Sequence, residues 1–410
     1  MKKQKILILH FANLNNYGTG MMGLVTIQAL ADRFGSENIE IHCDFDDDTS
    51  IDEIKNELNS NVELFRYVNK APAKIANIKI GIIRKFFSLL YLLFYTEGIG
   101  FSKIIVLGGD DLSEYYSRNG AAIDIFKKFK SSFLTKVIIL GQSIGPFNHR
   151  INRLAAKYLL PHLEVYSRDL HCTDYMLNEF GVQVNQMADI ALMDLPLQFD
   201  KNIENDILSK YGLVKDKYYC IVVSGLQQND YYCDDLYIYL QRFKEIIESL
   251  YNEPMLENVK ICLLAHTFPP FADESDLIQK LDSILDVNLR DKVVLVKERI
   301  LQNRARFILG NGLFTITGRM HAAVSTFQMG KPAICLSYSA KYKGVIGDSI
   351  GMNDLIIECN DPKLWNHGDI VNLVLEKYHY MISNYEVLCL KIKDRVKSQR
   401  QLVIDALNKI

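Results

Sequence analysis

The chain predicts an α/β protein built of two doubly wound, Rossmann-like domains facing a cleft. Three observations carry this expectation. Short apolar runs alternate with helix-length amphipathic segments, the series occurs twice, and polar loops follow the runs at their carboxyl ends. A chain of 410 residues also exceeds one ordinary core and suits two domains of roughly 150 to 200 residues each.

The first series of strand-like runs is 6–9, 39–43, 104–107, 137–140 and 164–166, and the second is 219–223, 259–265, 293–296, 313–316 and 333–336. A polar stretch, 198–217, separates them. Residues 1–200 are therefore read as the amino-terminal domain and 201–384 as the carboxy-terminal one. Residues 385–410 have helical spacing, with Leu388, Val396, Leu402, Ile404 and Leu407 on an apolar side, and are expected to pack back on the first domain.

Hydrophobic residues at 49% and charged residues at 23% belong to a folded chain rather than a disordered one. The net charge of −2 leaves no excess of Lys and Arg to neutralise a nucleic-acid backbone, so nucleic acid is not expected as a partner. The 8 cysteines include no Cys-x-x-Cys pair, which reads as buried thiols in a reducing cytoplasm, neither a disulfide framework nor a zinc site. No other cluster of metal ligands stands out, and no metal is expected to be obligatory. Met1 to Lys5 run straight into the apolar stretch 6–9, shorter than a signal-peptide core, so a cytoplasmic protein is expected.

Residues 86–95 are nearly all apolar and follow Lys70, Lys74, Lys79, Arg84 and Lys85. The run is about half of what spans a bilayer. It is either a buried core helix or, within 79–95, a membrane-facing segment that brings the protein to the inner face of the cytoplasmic membrane as a peripheral contact.

Four loops at strand ends carry candidate chemistry. Asn13 to Gly20 lack the Gly-x-Gly-x-x-Gly fingerprint of dinucleotide binding, and no Walker phosphate loop occurs. Gly108-Gly109-Asp110-Asp111 combines glycines that admit a ligand to the backbone with a carboxylate that either accepts a sugar proton or caps the next helix. Gly141-Gln142-Ser143 occupies the equivalent position after the next run. Arg168-Asp169 closes another strand, as an anion-binding cation or as a surface ion pair.

The most informative stretch is 314–343. There Thr317-Gly318-Arg319-Met320-His321 ends an apolar run and opens a helix, and Gly330-Lys331-Pro332, a further run and Tyr338-x-x-Lys341 follow. A bidentate cation two residues from an imidazole, at a helix start, suits an anion whose charge changes during reaction. Taken alone, Arg-x-His is more often a surface pair or a satisfied core group.

With these pieces in order, the chain resembles the polysaccharide pyruvyl transferase family over nearly its whole length. The matching pieces are Asn16-Tyr17-Gly18, Gly108-Gly109-Asp110, the loop 141–146, Ser167-Arg168-Asp169, Ala188-Asp189, Gly318-Arg319-Met320-His321, Gly330-Lys331-Pro332 and Tyr338-x-x-Lys341. The resemblance implies a fold similar to the two-domain GT-B glycosyltransferases. It also implies transfer of pyruvate from phosphoenolpyruvate, as donor substrate and without a further cofactor, onto two hydroxyls of a sugar to form a ketal. It puts donor binding on Arg168, Arg319, Met320 and His321, to which the chemistry adds Lys341 at the leaving phosphate. His321 is expected as acid or phosphate partner and Asp111, with Asp110 as the alternative, as base. Acceptor contacts are expected at Asn16, Gly18, Gly109, Asp110 and Ser143, the acceptor being a glycan precursor, lipid-linked in this reading. One departure stands out. The family has an acidic residue after the Asn-x-Gly glycine, where this chain has Thr19-Gly20-Met21-Met22. Two competing functions remain on the same architecture: a nucleotide-sugar glycosyltransferase and a non-catalytic partner in glycan assembly.

Overall fold

Two all-parallel sheets organise the computed structural model, which describes residues 3–68, 90–92, 95–114, 117–225, 232–233 and 235–410. The first sheet contains β1 (Gln4–Leu9), β2 (Ile39–Cys43), β3 (Glu63–Arg66), β4 (Lys103–Val106), β5 (Lys136–Gln142), β6 (Glu164–Ser167) and β7 (Asn185–Gln186), in the order β3-β2-β1-β4-β5-β6-β7. The second contains β8 (Tyr218–Val222), β9 (Lys260–Leu264), β10 (Val293–Val296), β11 (Thr315–Thr317), β12 (Ala333–Ser337) and β13 (Ile356–Glu358), in the order β10-β9-β8-β11-β12-β13. Helices interleave with the strands throughout, as parallel pairing requires.

The central strands are continuous apolar runs because both faces of a parallel sheet are covered. Ile6, Leu7 and Ile8 of β1 and Cys220, Ile221 and Val222 of β8 are all fully buried. The order of connection reverses once in each sheet, between β1 and β4 and between β8 and β11. Loops leaving the carboxyl ends of such a strand pair diverge and leave a crevice, which is where open α/β sheets take ligands.

Three strands are not announced by apolar runs, and each is at or near a sheet edge. In β3 only Leu64 is buried, β7 is the exposed pair Asn185–Gln186, and β13 buries only Ile357. An edge strand has one neighbour and needs little apolar surface.

The chain divides into two compact units. One comprises Met1–Asn13, Thr26–Met187 and Asp405–Ile410, the other Leu14–Val25 and Ala188–Ile404. The helix Tyr17–Phe34 therefore begins in the second unit and ends in the first. The helix Tyr385–Leu407 passes to the first unit at Asp405, where Arg33 Nη1 donates to Leu407 O at 2.8 Å and Lys103 Nζ donates to Ile410 O. Most of 79–95, where a membrane-facing segment is expected, lies outside the described residues. Among the described residues no helix is long and apolar enough to cross a membrane.

Behind the second switch point sits an aromatic cluster. Trp365, fully buried, packs 5.7 Å from Tyr232, 4.9 Å from Tyr239 and 6.0 Å from Phe243 between ring centroids, and its Nε1 donates to Cys359 O at 3.0 Å. Tyr232 carries this packing to the site, because its hydroxyl is 2.9 Å from the Gly318 carbonyl. Replacing Trp365 by Ala should destabilise the protein by about 3–5 kcal/mol through the cavity it leaves, read as a lower midpoint in thermal or urea unfolding.

Candidate functional site

The second switch point collects polar groups from the loops after β8, β9 and β11. At the end of β11, Thr317 Oγ1 accepts the Arg319 N–H at 2.8 Å and bends the chain into the helix Met320–Gln328. Tyr342 donates to the Gly318 carbonyl at 2.6 Å. A Cβ on Gly318 would lie 2.9 Å from the Tyr232 hydroxyl and 3.0 Å from Ser224 Cβ, so the packed hydroxyls require glycine there.

Arg319 is held by a carboxylate that the sequence reading did not single out. Its Nε donates to Glu274 Oε1 at 2.5 Å, and the Glu274 side chain is fully buried. The same carboxylate accepts backbone N–H groups from Gly225 at 3.1 Å, His266 at 3.1 Å and Thr267 at 2.9 Å. Burial works against the Arg319 cation, but the Glu274 charge outweighs it and keeps the guanidinium above its ordinary range. Arg319 Nη2 is buried and has no hydrogen-bond partner among the described residues.

Three more buried polar atoms there lack a partner among the described residues: His266 Nε2, Thr267 Oγ1 and His321 Nε2. His266 is fully enclosed, and burial, with the Arg319 and His321 charges beside it, pushes its imidazole well below the usual histidine range. It is therefore a neutral group at physiological pH. Its ring packs edge-on to Tyr17 at 5.2 Å, and the Tyr17 hydroxyl accepts the Ile300 N–H at 2.8 Å. His321 Nε2 stands 3.4 Å from Asp189 Oδ2, whose other oxygen accepts the Ala191 N–H at 3.0 Å. Asp189 is thereby fixed before it meets the imidazole.

The amino-terminal loop joins this cluster, since Leu14–Val25 belong to the second unit. Asn16 pairs with Thr267 in an isolated bridge, and its Oδ1 accepts the Gly18 N–H at 3.1 Å. Gly18 lies on the His321 ring: a Cβ there would approach Nδ1 to 2.3 Å. Asn16 and Gly18, expected as acceptor contacts, are thus built into the seat of His321. The departure from the family pattern falls in the same turn. Thr19 is half-buried, a Cβ on Gly20 would meet Gln302 Nε2 at 2.0 Å, and Met21 Sδ accepts from Ser325 Oγ at 3.1 Å and Arg306 Nη2 at 3.2 Å.

Met320 is buried at the start of its helix, and Lys341 Nζ donates to the Tyr338 hydroxyl at 2.6 Å. The remaining expected residues stand in the first unit. Arg168, buried, donates from Nε to Ser143 Oγ at 2.9 Å. Gly109 O accepts the Ser143 N–H at 2.9 Å, Asp110 O accepts Ser113 Oγ at 2.5 Å, and Asp111 Oδ2 accepts from His10 Nδ1 at 3.2 Å. His10 and His266 lie in loops and Glu274 opens the helix Glu274–Ile284, and none of the three has a motif around it. His10 and His266 are marked only by standing just after strand-like runs, and Glu274 by nothing local.

Comparison with solved structures finds the same fold at low identity. A UDP-GlcNAc 2-epimerase from Neisseria meningitidis bound to UDP-GlcNAc is 10% identical with a TM-score of 0.58, over 99% of this chain and 100% of that one. One from Rickettsia bellii is 12% identical with a TM-score of 0.53, over 100% and 98%. A third, described as putative, from Listeria monocytogenes is 11% identical with a TM-score of 0.56, over 96% and 91%. These likenesses establish the Rossmann-like, GT-B class of fold alone. A search of curated proteins found no match. The family model for polysaccharide pyruvyl transferase matches residues 16–340, which takes in the Asn16 loop, Arg168, Asp189, Arg319 and His321, and the chain belongs to that family.

Proposed function

We propose that the protein transfers pyruvate from phosphoenolpyruvate to two hydroxyls of a hexose in a lipid-linked precursor of a cell-surface polysaccharide, forming a ketal and releasing phosphate. One observation carries the donor assignment. Arg319 is charge-balanced by buried Glu274 yet keeps a buried guanidinium nitrogen without a partner among the described residues, beside His266, Thr267 and His321 in the same condition. Buried donors are rarely left unsatisfied, so this constellation is shaped for an anion.

Phosphoenolpyruvate supplies that anion twice, as phosphate and as carboxylate. Arg319 takes one, with Arg168 and Lys341 as the further cations of this reading and the Met320 backbone beside the donor. The reaction balances without a redox partner. One hydroxyl oxygen bonds to C2 while the C2=C3 electron pair takes a proton at C3. The second hydroxyl oxygen then replaces phosphate, which leaves with the C–O pair. Of the two hydroxyl protons, one ends on the methyl group and the other on phosphate. His321, oriented by Asp189 and Gly18, is the proton donor to C3 or the partner of the leaving phosphate. No metal is needed for either step, and EDTA-treated protein should release phosphate at the untreated rate.

Calorimetric titration of phosphoenolpyruvate tests the donor directly. Arg319→Met should weaken binding by about 1.5–3 kcal/mol, the scale of charge-assisted hydrogen bonds. It also strands the Glu274 charge and should lower stability by about 3–5 kcal/mol. Adding Glu274→Gln should recover stability without recovering binding, which separates the two roles. If wild type ignores phosphoenolpyruvate but is stabilised against heat by nucleotide sugars, the glycosyltransferase reading replaces this one.

Gly18→Ala puts a methyl group against the His321 ring. Phosphate release should fall by about tenfold or more, as a displaced catalytic group predicts, while phosphoenolpyruvate affinity changes less. Steady-state rates beside calorimetry check this.

A further inference from the structure

The switch point of the first sheet carries its own cluster of titratable groups. His10 follows β1 and Asp111 follows β4, the two strands between which the order reverses. His10 Nδ1 donates to Asp111 Oδ2 at 3.2 Å, and its Nε2 stands 3.9 Å from Asp124 Oδ1. Asp124 is in turn 3.4 Å from Lys128 Nζ, which donates to Glu97 Oε2 at 2.8 Å. Lys128 and Glu97 are almost fully buried, His10 is 26% exposed and Asp111 is 46% exposed. The chain thus runs from the core to the crevice and ends on an open carboxylate.

His10 is also held by its backbone. It has φ 66°, positive as among the described non-glycine residues only Asp216 and Leu301 also are, and its N–H and that of Phe11 both donate at 2.9 Å to the two oxygens of Asp44. A residue with a β-carbon is strained in that region and persists there only where the surroundings enforce it. Burial works against the His10 cation, but the Asp111 hydrogen bond and the Asp111 and Asp124 charges outweigh it, and the imidazole rises above its ordinary value despite Lys128 nearby.

We infer that this crevice is the hexose site and that His10 is a positioning residue, holding Asp111 to receive the proton of an acceptor hydroxyl. The inference rests on the proposed function and deepens it. As the hydroxyl O–H breaks, its proton bonds to the open oxygen of Asp111 and its electron pair forms the bond to C2 of the enolpyruvyl group. The C2=C3 pair takes its proton from the acid of the donor site. Asp124, itself held by Lys128, offers the far nitrogen a second carboxylate, so the imidazole lies between two acids with its near nitrogen on Asp111.

The test combines rates with sugar binding. Asp111→Asn should lower kcat by about 100-fold or more, the range of a general base, with phosphoenolpyruvate affinity unchanged within about twofold. His10→Ala should lower kcat by a similar factor. His10→Asn, which keeps a donor near Nδ1 and tolerates positive φ, should recover at least about a tenth of the wild-type rate. Wild-type rates in Asp111→Asn, a half-exposed position where the fold is not at stake, overturn the inference. So does a His10→Asn variant that is folded by circular dichroism yet no more active than His10→Ala. Saturation-transfer NMR with methyl galactoside and methyl glucoside, without donor, tests the site even if phosphoenolpyruvate proves not to bind. Transfer in wild type that Asp111→Asn abolishes supports the hexose site, whereas no transfer, or equal transfer in both proteins, overturns it.

Discussion

The buried carboxylate of Glu274 is the constraint on which the second unit's site depends. It accepts from the backbones of Gly225, His266 and Thr267 and from Arg319 Nε, so one side chain ties together the loops leaving β8, β9 and β11. A carboxylate with three backbone donors and a guanidinium is satisfied in the interior, and the guanidinium beside it stays charged. Because the ion pair engages Nε of Arg319, buried Nη2 keeps no hydrogen-bond partner among the described residues while its position is already set. The cation is pre-organised by an ion pair that is not itself spent on the ligand.

The same arrangement explains the character of the two imidazoles. His266 is enclosed near Arg319, and losing its proton relieves both burial and repulsion. His321 is at the rim of its helix, opposite Asp189 and over Gly18. Two histidines of one crevice are thus separated by environment into a neutral wall and a group poised against a carboxylate.

How much of this is legible in the sequence follows from how each feature is encoded. The ten strand-like runs coincide with β1, β2, β4 to β6 and β8 to β12, because a strand buried on both faces must be apolar along its length. β3, β7 and β13 have no such requirement and leave no comparable signal. Arg319 and His321 are legible because they share one short motif at a strand end. Glu274, His266 and His10 are not, because their partners are supplied by tertiary structure: Glu274 meets Arg319 45 residues away, and His10 meets Asp111 101 residues away. The division into units shows the same limit. The polar stretch near residue 200 marks a change of series, yet Leu14–Val25 group with the second unit through backbone pairing of Asn15, Asn16 and Tyr17 to the loop after β9, which no local composition records.

The two switch points differ in charge, and the difference bears on which substrate each can hold. The second presents Arg319 and uncommitted donors, with its buried acids Glu274 and Asp189 already engaged by Arg319 and by the Ala191 N–H. The first presents Asp111 at its opening with Asp44 and Asp124 behind it, and the two cations beside these acids, His10 and Lys128, are engaged by them and by Glu97, while Arg168 stands apart at the end of β6 against Ser143. Two like charges about 4 Å apart repel by roughly 4 kcal/mol at the effective dielectric of a protein surface. A trianionic donor placed against Asp111 would meet that repulsion more than once, whereas a neutral sugar hydroxyl meets none and gains a charge-assisted hydrogen bond. Reversing the assignment fails on the other side as well, because a neutral sugar would leave the Arg319 charge uncompensated beyond Glu274 and gain least where the protein has invested a buried ion pair. Around Arg319 and around Asp111 the local charge is thus consistent with the proposed division, the anion by the first of these residues and the diol by the second.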